Sequence, residues 1–178
     1  MDVASAAALA EKNFGVSEIS VLAEGGQKLA LKAKLRESDV VVKVVALAVE
    51  APTQGLERCR REVTVLANVS SPNLVSLRAD LIEVGPGPEH VLWLEDYVPG
   101  HDLREIAPEQ WSCGQAIKFL SDCASGLAEL HSHGFVHRDL SPGNVRLATD
   151  GTWVVLDPGF AKHLGRTDIT GPWQPGTP

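Results

Sequence analysis

The run Val40-Val41-Val42-Lys43-Val44-Val45 restricts this chain more than any other stretch. Valine favours extended backbone, and an unbroken valine run has no polar face to turn to water, so the strand it forms is covered on both sides. Lys43 then leaves water as well. A buried ammonium costs on the order of several kcal/mol unless a carboxylate answers it. The chain holds a carboxylate in the matching predicament. Cys59, Glu62, Val63 and Leu66 fall at i, i+3, i+4 and i+7 of a helix, so Glu62 lies in the apolar stripe and not on the wet face. Each residue is anomalous alone, and pairing explains both. The competing reading is a lysine that reaches solvent from a strand edge.

The second informative stretch is His137-Arg138-Asp139-Leu140-Ser141-Pro142-Gly143-Asn144, a polar loop between apolar segments. Upstream, Ser112 and Gln115 form a capping box for a long helix with Ile117, Leu120, Cys123, Leu127 and Leu130 on its buried side, closed by Gly134. Downstream, Val145 and Leu147 alternate like a strand, Thr149-Asp150-Gly151 turns, and Trp153 to Leu156 returns to Asp157. The hairpin therefore carries Asn144 and Asp157 at its open end, beside Asp139. Oxygen side chains so grouped suit Mg2+, which keeps some waters and bridges to phosphate. Read singly, Asp139 and Asn144 are turn residues bonding their own backbone.

Other segments fill in the frame. Residues 3–13 read as a helix stopped by Gly15 and leaning on the body of the protein, Ile19 to Leu22 as a strand, and Leu29 to Leu35 as a second strand after a glycine turn. Pro72 is expected to stop the helix that carries Glu62 and to start the next strand. With 178 residues and 44% hydrophobic content, one domain with a real core is expected. A net charge of −7 with dispersed basic residues argues against a nucleic-acid groove. No apolar run reaches spanning length and the start lacks a basic secretion signal, so no membrane segment and a cytoplasmic location are expected. Cys59, Cys113 and Cys123 are scattered without a CxxC pair and read as buried thiols in a reducing compartment, not as metal ligands or a disulfide framework.

The order His-Arg-Asp-Leu-x-x-x-Asn resembles the catalytic loop of protein kinases. Nineteen positions from Lys43 to Glu62 and eighteen from Asp139 to Asp157 are similar to the family's spacings, and Ser71-Pro72-Asn73-Leu74-Val75 looks like its turn after the αC helix. The resemblance runs from about residue 18 to the end. It implies an α+β, bilobal kinase-like fold: an antiparallel N-lobe sheet with an αC helix over residues 1–94, a hinge at 95–102, and an incomplete, mainly helical C-lobe over 103–178. The missing C-lobe helices would come from the rest of a longer chain or from a partner. ATP and Mg2+ are the implied cofactors, and a protein with a Ser/Thr acceptor the implied substrate. Carried over residue by residue, Asp139 takes the acceptor's proton, Lys43 orients the nucleotide, Glu62 holds Lys43, and Asn144 and Asp157 hold Mg2+. Gly25, Gly26, Ala30, Asp96, Val98 and Asp102 line the nucleotide, with Asp102 at the ribose and either Glu95 or Leu94 as gatekeeper.

The departures from the family pattern are as specific as the matches. Of three glycine-loop positions only Gly25 is kept, the others being Ala23 and Lys28. Ser141 replaces a lysine, Pro158 replaces the phenylalanine of Asp-Phe-Gly with Phe160 nearby, and Arg146 stands where an apolar side chain lies under adenine. These leave open a pseudokinase scaffold or nucleotide-binding module. Pro142-Gly143-Asn144 leaves open a small-molecule phosphotransferase of the aminoglycoside or choline kinase type. Arg138, Asp157-Pro158-Gly159 and the terminal Gly176-Thr177-Pro178 favour the protein-kinase branch, with Thr167, Thr170 and Thr177 as candidate phosphorylation sites.

Overall fold

A computed structural model of the protein describes residues 1–25, 27–87, 89–106 and 111–158, together with the backbone of 162–163. The chain divides into two compact units, Met1–Val63 with Leu77–Tyr97, and Thr64–Ser76 with Val98–Pro178.

The first unit is an antiparallel sheet of β1 (Ser17–Gly25), β2 (Lys28–Leu35), β3 (Ser38–Ala46), β4 (Leu77–Val84) and β5 (His90–Asp96), in the order β1-β2-β3-β5-β4. The valine run lies at the centre of this sheet, and its double burial has two causes. On one face Leu29, Leu31 and Ala33 of β2 join Val40, Val42 and Val44 of β3, with Leu92 and Leu94 of β5, under Ala6 and Ala10 of α1 (Val3–Phe14). Both alanines are fully buried, because a side chain of one carbon lets the helix lie close on the sheet. On the other face Val45, Val91 and Trp93 pack with Leu56, Cys59 and Val63 of α2, the helix over Pro52–Asn68.

Local signals account for the helix ends. Asp2 accepts the Ser5 amide at 2.9 Å to cap α1 at its start, and Gly15 at φ 66° caps its end in the left-handed region that glycine enters without penalty. The Pro72 expectation needs correction. Helix α2 ends at Asn68, and β4 begins only at Leu77. Between them the chain is claimed by the second unit: the Asn73 side chain donates to the Trp153 carbonyl at 2.9 Å, and Leu74 bridges to Val155.

The second unit is built on α3 (Cys113–Ser132), whose Ser112/Gln115 capping box forms as expected. Its strands are β6 (Gly100–Asp102), β7 (Phe135–Val136), β8 (Val145–Ala148), β9 (Trp153–Val155) and β10 (Lys162–His163), with β6-β8-β9 in one sheet and β10-β7 in another. The buried face of α3 differs from the expected stripe. Cys123, Gly126 and Leu130 are buried, while Ile117 and Leu120 are 67% and 63% exposed. The helix is rotated by its packing on β9, where Phe119 meets Trp111 and Trp153 with ring centroids 5.2 and 5.0 Å away. Gly126 permits the contact with residue 73, since a Cβ there would stand 2.5 Å from the Asn73 carbonyl oxygen. Among the described residues no helix is long and apolar enough to cross a membrane.

Candidate active site

In the second unit, α3 ends at Ser132 with His133 as its cap, and Gly134 at φ 79° turns the chain into β7 and the polar loop. His137 is 2% exposed and fixes that loop. Its Nδ1 accepts the Asp139 amide at 3.3 Å, and so its Nε2 carries the hydrogen, donated to the Leu156 carbonyl at 2.9 Å. One neutral imidazole thus ties the backbone of Asp139 to the residue before Asp157. Sequence reasoning did not assign His137 a role, although an apolar approach into a buried histidine was visible in Phe135-Val136.

Asn144 closes the loop from its other end. Its Nδ2 donates to the Asp139 carbonyl at 2.8 Å and to the Asp139 carboxylate at 3.3 Å. Both partners are acceptors, so the atom facing them is the amide nitrogen, and the Oδ1 of Asn144 is directed elsewhere. The hairpin is in the expected register, Val145 opposite Val155 and Leu147 opposite Trp153, and the Leu156 amide donates to the Asn144 carbonyl at 2.8 Å. Asn144 and Asp157 therefore stand at the open end of β8-β9. Two residues here hold the left-handed conformation although neither is glycine: Arg138 at φ 67° and Asp157 at φ 55°. Each costs on the order of 1 kcal/mol or more, and such strain gathers where side chains are aimed for function.

Arg146 of β8 donates to the Gly100 carbonyl on the neighbouring strand β6 at 2.5 Å. Asp102 is 8% exposed and caps the short 3-10 turn Leu103–Glu105 through the Arg104 amide at 2.9 Å. Its carboxylate also takes the Arg104 guanidinium at 2.8 Å, and that bond holds Asp102 below the usual carboxylate pKa. Arg104 in turn lies over Gly143, where a Cβ would stand 3.1 Å from the guanidinium carbon. Pro158 is buried. Gly26, Gly159, Phe160, Thr167, Thr170 and the terminal Gly-Thr-Pro lie outside the described residues.

In the first unit Lys43 and Glu62 are buried, as the strand and helix patterns require. The bonds around them were not foreseen. Lys28 reaches Glu62 at 3.0 and 3.3 Å, and Lys43 forms an ion pair with Glu95 at 3.5 Å. The register supplied no warning in one dimension but explains the result in two: Ala30 pairs with Lys43, so Lys28 shares the face of Lys43, and Glu95 pairs with Val41 on that same face. Leu94 faces the α1 core, so of the two gatekeeper candidates it is Glu95 that lies on the side of Lys43. Gly25 ends β1 and Ala30 lies within β2, Asp96 ends β5 within 3.8 Å of Arg78, and Val98 opens the second unit.

Comparison with known proteins shows the family. A sequence model described as protein kinase domain matches residues 18–172. A probable serine/threonine-protein kinase of Lactococcus lactis is 31% identical over 133 residues, which are 74% of this chain and 21% of that protein. A DNA damage-responsive serine/threonine-protein kinase of Deinococcus radiodurans is 30% identical over 165 residues, 85% of this chain and 24% of that one. A probable serine/threonine-protein kinase of Clostridium perfringens is 28% identical over 155 residues, 85% and 22% of the two chains. The chain spans between a fifth and a quarter of the length of these relatives.

Proposed function

The chain belongs to the protein kinase family, and from that premise we propose that it carries out ATP- and Mg2+-dependent phosphoryl transfer to a serine or threonine hydroxyl of a protein, as part of a longer kinase. The observation that carries the reading is the bonding of the loop. Asp139 is exposed, its backbone is held by His137, and its carboxylate is steadied by Asn144. A carboxylate so placed can accept the proton of an incoming hydroxyl, an assistance worth typically ~10²–10⁴ in rate.

Among the described residues no group of three or more His, Cys, Asp and Glu side chains is placed to hold an ion. Mg2+ does not require such a cage, because it commonly takes one or two protein oxygens and completes its shell with water and phosphate. The Oδ1 of Asn144 and the carboxylate of Asp157 fit that demand, and they are the residues assigned to it. When bound, the ion would neutralise charge developing on the phosphate oxygens. Lys43 is assigned to the α- and β-phosphates. The serine/threonine acceptor is supported by the names of the relatives.

Transfer from labelled ATP to a serine/threonine peptide pool in Mg2+ is the test, with the full protein beside its Asp139→Asn variant. Loss of about 10²-fold or more in kcat at little changed KM for ATP is expected. Equal rates for the two proteins would remove Asp139 from the mechanism, and no transfer by the unaltered protein would favour the scaffold reading.

A further inference from the structure

Glu95 is the most deeply buried carboxylate among the described residues, at 3% exposure, and nothing in the phosphotransfer scheme uses it. A carboxylate survives there only if its oxygens are answered. The Trp93 indole donates to Oε1 at 2.8 Å, and the Lys43 ammonium lies 3.5 Å from Oε2. Trp93 and Glu95 are two residues apart on β5 and so project from one face. The cross-strand pairs Lys43 with Trp93 and Val41 with Glu95 set the lysine between them. Trp93 is itself fully buried in the α2-side core, which fixes the indole that in turn fixes the carboxylate. Glu62, the carboxylate that the sequence pattern offers to Lys43, is engaged at both oxygens by Lys28, whose ammonium also stands 5.5 Å above the Trp93 ring.

We propose that Glu95, clamped by the Trp93 indole, is a positioning residue for Lys43, so that the sheet itself aims the lysine whatever helix α2 contributes. The proposal rests on the reading of Lys43 as the nucleotide-orienting lysine. It makes β3 and β5 one rigid device, since donor, carboxylate and lysine all sit on adjacent paired strands.

Glu95→Gln tests it without disturbing the packing, because the glutamine Oε1 can still accept from Trp93 while the charge is lost. Two quantities are read in the full chain: the rate at which acetic anhydride acetylates Lys43, followed by peptide mass spectrometry at fixed pH, and the kcat and KM for ATP. Removing a carboxylate beside an ammonium favours the neutral, reactive amine, so Lys43 in Glu95→Gln is expected to acetylate about tenfold faster or more. KM for ATP rises with it. Glu62→Gln is expected to accelerate Lys28 more than Lys43. Trp93→Phe, which keeps the charge and removes only the clamp, gives a smaller acceleration at Lys43, and it decides the matter if the Gln variant does not fold. An unchanged Lys43 rate in these variants, or a larger effect on Lys43 from Glu62→Gln, overturns the proposal. If instead Lys43→Ala leaves the KM for ATP unaltered, it is the nucleotide role of Lys43 that fails, while the acetylation rates still report whether Glu95 holds it.

Discussion

A single side-chain amide does much of the organising at the candidate site. Because Asn144 spends its nitrogen on Asp139, its oxygen is left for another partner, and the same bond restrains the Asp139 carboxylate. Asn144→Ala is therefore expected to raise the Mg2+ concentration needed for half-maximal transfer and to lower kcat, whereas Asn144→Asp, which keeps an oxygen ligand but repels Asp139, restores the metal dependence more than the rate. A Mg2+ titration of initial rates checks both. The thiols make a second residue-scale prediction. Burial pushes the thiols of Cys59 and Cys123 up to about 11, whereas Cys113, expected to be buried, is the first residue of α3 and is exposed. A thiol with a raised folded pKa stays protonated in the native state when the unfolded chain has begun to ionise. Its contribution is intact below about pH 9 and is lost as pH climbs toward 11. At pH 8 a maleimide should modify Cys113 within the native protein and reach Cys59 and Cys123 only on unfolding. Modification of all three at one rate would contradict the burial of the other two.

The legibility of the elements depended on how many partners each one needed. The valine strand, the Asn144–Asp157 hairpin, the Gly15 stop of α1 and the Ser112 cap of α3 were readable because their determinants are neighbours in sequence: β-branching, a turn dipeptide, a glycine after the helix, a Ser three residues before an amide. The face of α3 was not. Ile117 and Leu120 have the right spacing for a buried stripe, but the aromatic group Trp111, Phe119 and Trp153 and the approach of residue 73 turn the helix toward Gly126 instead. Only contacts distant in sequence could show that. Gly126→Ala is accordingly expected to destabilise by ~1–3 kcal/mol, as overpacking against backbone does, while Gly114→Ala, whose Cβ would meet nothing nearer than 3.9 Å, stabilises by up to ~1 kcal/mol. Denaturant melts of the two variants, in the same helix, separate packing from propensity. Helix α1 gives a parallel case. It precedes the segment matched by the family, yet Ala10 is fully buried on the sheet, so Ala10→Leu should cost ~1–3 kcal/mol.

At the scale of the whole molecule, the residues given roles above fall in both units, Lys43, Glu62 and Glu95 in the first, and Asp139, Asn144 and Asp157 in the second. The family was legible at this scale because two spacings along the chain, nineteen positions from Lys43 to Glu62 and eighteen from Asp139 to Asp157, lie within the segment that the protein kinase model matches. Ion-pair partners were less so, since strand register, and not spacing, brings Lys28 and Glu95 to the face of Lys43. Cys59 in the first unit and Cys123 in the second are natural reporters, and pulsed maleimide labelling along a denaturant series would show whether the units open together or in sequence. Phosphoryl transfer by this chain requires the open end of the β8-β9 hairpin to act as a metal-dependent nucleotide site. The most direct measurement is the melting shift produced by ATP across a Mg2+ series, for the unaltered chain and for Asp157→Ala. An upward shift that appears with Mg2+ and is lost in the variant is the predicted result; a shift of equal size in EDTA, or one retained by Asp157→Ala, would contradict it.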